Sequence, residues 1–167
     1  MPKKIDPLNK KNYSAITVML CVSDMKAAVT FYQKAFGFEK RMIMNGPDGK
    51  PTHAELTMRG NTLMLGASNE ERGMRTAKAV GASPSPASLY LMVEDADKVF
   101  AKAVKAGATP KGEVMDMFWG DRGGMLEDPD GYSWMVATHK SEPTPQEMKK
   151  AMKEQMKAQQ AATAQSA

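Results

Sequence analysis

At 167 residues, with 42% hydrophobic and 25% charged side chains, the chain has the make-up of one globular domain or two small modules sharing a core. No apolar run approaches the roughly 20 residues that span a bilayer, no apolar stretch follows the lysines of Met1-Pro2-Lys3-Lys4 to make a secretory signal, and a single cysteine, Cys21, excludes an internal disulfide. The net charge of +4 sits in basic ends, residues 1–12 carrying +3 and residues 140–157 carrying +2, so the body between them is −1 and offers no basic groove to nucleic acid. The expected setting is the cytoplasm, with neither nucleic acid nor membrane as partner.

In chain order, residues 1–14 read as a polar arm. Residues 15–22 alternate and are β-branched, which predicts a strand. Asp24 is placed to cap a helix that Gly37 ends, with Ala28, Phe31, Tyr32 and Ala35 as its apolar stripe. Strands are predicted over 38–45, 52–58 and 62–66, separated by the turn residues Gly46-Pro47-Asp48-Gly49 and Gly60-Asn61. Residues 67–86, with Gly73, Gly81, Pro84 and Pro86, read as a mobile connection.

A second unit follows: a strand over 87–93, a helix over 95–106 closed by Gly107, strands near 109–115 and 123–128, the turn Asp128-Pro129-Asp130-Gly131, and a strand over 132–139. Thr144-Pro145-Gln146-Glu147 is a capping box, predicting a helix to about residue 159. Its Met148, Met152 and Met156 form one stripe, expected to pack on the body or a partner subunit. Residues 161–167 are expected to be disordered.

The two units are copies. Leu20-Cys21-Val22-Ser23-Asp24 matches Leu91-Met92-Val93-Glu94-Asp95 71 residues on (20 to 91), and Thr62-Leu63-Met64-Leu65-Gly66 matches Ser133-Trp134-Met135-Val136-Ala137 at the same offset (64 to 135). The domains are thus 15–66 and 87–139, each a βαβββ module, and a site built between them should draw on equivalent positions of both.

Val22-Ser23-Asp24 with Phe31-Tyr32, then Phe36-Gly37-Phe38, and Asp128-Pro129-Asp130-Gly131-Tyr132, taken in this order, resemble the vicinal oxygen chelate superfamily of glyoxalase I, bleomycin-resistance proteins and extradiol dioxygenases. His53-Ala54-Glu55-Leu56 and Phe118-Trp119-Gly120-Asp121-Arg122 are similar to its phosphonate-operon-associated, demethylubiquinone-methyltransferase-like branch. The resemblance implies a mixed α+β fold, two βαβββ modules curved into a β-sheet cup, with a divalent metal held by the first and fourth strands of each. Alignment through the motifs puts those ligand positions at Thr17, Met64, Ser88 and Met135. None of the four is a ligand for zinc, nickel, magnesium or iron(II), which take imidazole, carboxylate or thiolate. The expectation is therefore a protein without a cofactor.

Strand alternation sends Ile16, Val18, Leu20 and Val22 toward the helices, and Thr17, Met19 and Cys21 toward the cup. In the second module Ser88, Tyr90 and Met92 face the cup, joined by Met64 and Met135. Cys21 reads as a small buried residue. His53 and Glu55 share a face and form a candidate acid–base pair, or a hydrogen-bonded rim pair without chemistry. With His139 they form the alternative, a displaced divalent-metal site for a lyase, isomerase or dioxygenase. Trp119 is a candidate aromatic wall and Arg122 a candidate anion clamp, unless their segment only pins the rim. The expected function is small-molecule binding in a methionine-lined cup, as in bleomycin-resistance proteins, by a homodimer. A third reading is an interaction protein whose cup is packed shut and whose tail helix binds a partner. Whether any reaction is catalysed stays open.

Overall fold

The structure is a computed structural model that describes residues 14–165, with side chains to Lys157. All of the expected arm, 1–14, but its last residue lies outside the described residues, as do the last two residues of the chain. The first module comprises β1 (Val18–Val22), α1 (Met25–Phe36), β2 (Glu39–Asn45), β3 (Pro51–Met58) and β4 (Asn61–Ala67). The second comprises β5 (Ser88–Met92), α2 (Ala96–Ala106), the two-residue bridges β6 (Thr109–Pro110) and β7 (Met115–Asp116), β8 (Asp121–Glu127) and β9 (Ser133–His139). A long helix, α3 (Pro145–Gln165), follows.

The helices begin and end where the residue chemistry places them. The Asp24 carboxylate accepts from Ala27 N and that of Asp95 from Lys98 N, while Gly37 (φ 81°) and Gly107 (φ 116°) turn the chain left-handed at the far ends. The sheets run β1-β4-β3-β2 and β5-β9-β8-β6, with β7 also paired to β8. In both, the first strand lies parallel to the last, pairing Met19 with Met64 and Tyr90 with Met135. The repeat in the sequence is thus a repeat in the register.

One face of each sheet packs under the helices. Leu20, Val22, Ala54, Leu56, Leu63 and Leu65 meet Phe31, Tyr32 and Phe36 of α1, and the core continues into Leu91, Leu126, Trp134 and Val136. The Trp134 ring centroid is 4.8 Å from that of Phe36 and 5.6 Å from that of Tyr32, so the first module's helix covers the second module's sheet. Asp128 locks this junction: it accepts from Tyr32 Oη (2.7 Å), from Trp134 Nε1 (2.9 Å) and from two backbone N–H groups of its own turn. Burial pushes its carboxyl pKa up against those donors.

Several expectations need correcting. Ile16 precedes β1 and is 85% exposed, and Val18, though on the face of Leu20 and opposite the buried Leu63, is left half-exposed at the start of the strand. The strand expected over 109–115 is broken in two, because Lys111 N still bonds Met125 O but the register against β8 then shifts by two residues before Met115. The connection expected to be mobile is pinned: Asn69 bridges Met74, Lys78 N donates to Asp130 O (3.0 Å) and Ser85 N to Gly131 O (2.8 Å). The capping box forms as expected, Thr144 and Glu147 bonding reciprocally. Its helix outruns the expectation, continuing to Gln165 through an alanine-rich segment of high helix propensity. Met152 and Met156 stay exposed rather than packed on the body.

Candidate functional site

The faces turned away from the helices carry the candidate chemistry, and the two modules differ. In the first, cross-strand register sets side chains in two adjacent rows. One is Met44 (β2), His53 (β3), Gly66 (β4) and Cys21 (β1); the next is Met42, Glu55, Met64 and Met19. A bulge between Lys40 and Met42 inserts Arg41, whose Nη1 lies 3.3 Å from Glu55 Oε2. Glu55, only 5% exposed, thus has a guanidinium beside it. His53 Nε2 is 3.6 Å from Glu55 Oε1, beyond hydrogen-bond range. The expected acid–base pair is therefore adjacent but not hydrogen-bonded, because Arg41 shares the carboxylate.

In the second module, antiparallel register sets Asp121, first in β8, opposite His139, last in β9. Asp121 is 8% exposed and accepts from three side chains: Tyr90 Oη (2.5 Å) and Trp119 Nε1 (3.1 Å) at Oδ2, and His139 Nδ1 (2.8 Å) at Oδ1. Burial pushes this carboxyl up, but the Tyr90, His139 and Trp119 donors hold it below the usual carboxylate range. The Asp121 hydrogen bond raises the His139 pKa, while burial and the Asp121 contact raise that of Tyr90. With Nδ1 engaged, His139 presents Nε2 outward, 3.7 Å from the exposed Glu142. The Trp119 loop has its own backbone anchors. Gly120 (φ 100°) receives Lys140 N and Ser141 N at its carbonyl, and a Cβ there would meet Ser141 O at 2.1 Å. The loop is fixed by these bonds, and the polar cluster serves to orient His139.

The sequence candidates fall as follows. Met19 and Met64 are neighbours, as are Tyr90 and Met135, and Met19, Tyr90 and Met92 are exposed. Thr17 lies just before β1 and reaches Ser14 O, and Ser88 starts β5 opposite Ser133, so neither stands directly across from Met64 or Met135. Trp119 joins the Asp121 cluster rather than standing as a free wall. Arg122 is corrected outright. It sits one residue past Asp121, on the helix side of β8, where Nε and Nη2 grip Asp97 at 2.7 and 2.8 Å and Nη1 approaches Asp116. It is no clamp in the cup. His139 joins Asp121 and not His53 and Glu55, and among the described residues no three His, Cys, Asp or Glu side chains gather as a metal site. The corner positions Thr17, Met64, Ser88 and Met135 do not suit a hard divalent ion either. Missed were Arg41, which only the bulge reveals, and Asp121 as the hub, which needed the pairing of residues 18 positions apart.

Residues 15–136 match the family model described as Glyoxalase/Bleomycin resistance protein/Dioxygenase superfamily. The chain belongs to this superfamily. It is 34% identical over 142 residues to the uncharacterized protein Rv0887c of Mycobacterium tuberculosis, covering 84% of each chain. The solved structure of the At5g48480 product of Arabidopsis thaliana superimposes with a TM-score of 0.60 at 30% identity, over 74% of this chain and 98% of that one. TioX from Micromonospora sp. ML1 gives 0.59 at 25% identity, over 75% and 98%. The superfamily's α+β fold is the one described above. No helix among the described residues is long and apolar enough to cross a membrane.

Proposed function

We propose that the protein binds a small organic molecule in a cup that two copies of the chain complete, with the superfamily's usual metal ligands replaced. One observation carries this reading: Met19 and Met44 are exposed on the open face of the first sheet, and Tyr90 and Met92 on that of the second, where Tyr90 bonds the Asp121 that orients His139. Exposed large apolar side chains around convergent polar groups are what a ligand pocket needs. A second copy laid over these faces would bury them. The methionines adapt to an irregular apolar body, and His139, its pKa raised, favours an acidic group at Nε2. The His53-Ala54-Glu55-Leu56 motif supports a place in the phosphonate-operon-associated branch, and the single cysteine accords with the cytoplasm.

The test is tryptophan fluorescence during titration with benzoate and other small aromatic acids. Trp119 sits at the cluster, whereas Trp134 is buried at 2% exposure. Saturable quenching that disappears in Trp119→Phe and weakens at least tenfold in His139→Gln is expected. A response that survives both variants overturns the reading. Light scattering should give a dimer mass; a monomer at micromolar concentration overturns the composite cup.

A further inference from the structure

The first module's open face holds an arrangement of donors of which the cup reading uses only Met19 and Met44. Met44, His53, Gly66 and Cys21 stand side by side on four neighbouring strands, which places successive side chains roughly 5 Å apart. The glycine leaves a gap, and another residue fills it. The Met74 methyl lies 2.9 Å from where a Gly66 Cβ would be, so Met74 reaches in from the connection and occupies the row between His53 and Cys21. The Asn69–Met74 bridge holds that segment in place. Met64 and Met19 stand in the adjacent row, and Glu55 Oε1 faces His53 Nε2 at 3.6 Å.

Thioethers and imidazole in one patch make a soft donor set. Magnesium, calcium and zinc do not select thioethers; copper(I) does, and silver(I) shares its softness. We propose that Met44, His53 and Met74, with Met64 and Cys21 alongside, form a binding site for a soft monovalent ion, copper(I). The three thioethers carry no charge and need no deprotonation, and His53 binds as neutral imidazole. Glu55, paired with Arg41, stands beside the imidazole without bonding it. The site differs from the divalent reading of His53, Glu55 and His139 in its ion and in its donors. It does not depend on any organic ligand.

Copper(I), supplied anaerobically, is titrated into the full-length protein in competition with bicinchoninate. The expected result is one ion withdrawn per chain, with affinity reduced at least tenfold in the His53→Gln/Met74→Leu variant and unaffected by zinc. Failure of the native protein to compete overturns the proposal, as does a folded double variant that holds copper(I) as tightly. Should the double variant not fold, methionine-methyl NMR of the native protein with silver(I) decides. Shifts at Met44, Met64 and Met74 support the site. Shifts confined to Met148, Met152 and Met156, the stripe along α3, overturn it.

Discussion

The turn after β8 and the turn after β3 occupy equivalent places in the two modules, and they do different work. The first, Asp128-Pro129-Asp130-Gly131-Tyr132, reaches across the junction at three points. Asp128 holds Tyr32 and Trp134, Asp130 accepts from Ser23 N (3.1 Å), and Tyr132 Oη covers the open edge of β1 by bonding both Cys21 N (3.1 Å) and Cys21 O (2.9 Å). The second, Met58-Arg59-Gly60-Asn61, is one residue shorter and reaches across with one bond, Arg59 Nη1 to Met92 O (3.2 Å). By the repeat, Met92 answers to Cys21 and Asn61 to Tyr132. Where the tyrosine would lie, a cavity of about 530 Å³ opens, lined by Val18, Asn61, Ser88, Tyr90, Met92 and their neighbours. The repeat gives two equivalent positions; Tyr132 makes one a clasp, and Asn61 leaves the other a cleft.

Breaking the clasp should have the largest effect. Asp128→Ala strands the Tyr32 hydroxyl and the Trp134 N–H in the core, so urea unfolding should show a loss of about 3–5 kcal/mol. Asp128→Asn keeps an acceptor and should lose about half of that. Tyr132→Phe removes two edge bonds and should cost about 1–2 kcal/mol by the same measurement. Equal losses in Asp128→Ala and Tyr132→Phe would break the ranking.

Smaller again is the pH effect of His139, a half-exposed group whose coupling is screened by solvent. Its folded pKa is raised, so its contribution is fully present below the ordinary histidine value of about 6.5 and fades as pH rises through the folded value. Imidazole NMR should show a titration midpoint above the ordinary value in the native protein and a lower one in Asp121→Asn. The smallest effect is expected at the weaker turn. Arg59 has φ 48°, so Arg59→Gly relieves left-handed strain while losing the Met92 bond, and stability should move by no more than about 0.5 kcal/mol.

The duplicated architecture was legible in the sequence because caps and turns are local. Asp24, Gly37, Asp95 and Gly107 mark the helices without knowledge of what packs on them. Alternation likewise placed Met19, Tyr90 and Met92 on the open faces. The site was less legible because it depends on register. Arg122 differs from Asp121 by one residue and so faces the helices, and nothing in Asp121-Arg122 says which of the two points outward. Arg41 owes its place to an inserted residue in β2, which alternation does not anticipate. The connection looked loose because its composition is that of a loop, yet backbone bonds that no side-chain pattern encodes tie it down.

That connection has a mechanical consequence. Met74 rests over Gly66 on the first sheet, and four residues later Lys78 N is fastened to Asp130 O. A span so short acts as a strut between one sheet's surface and the other module's clasp. The connection therefore ties the surface of the first sheet to the second module's turn through one short stretch of backbone.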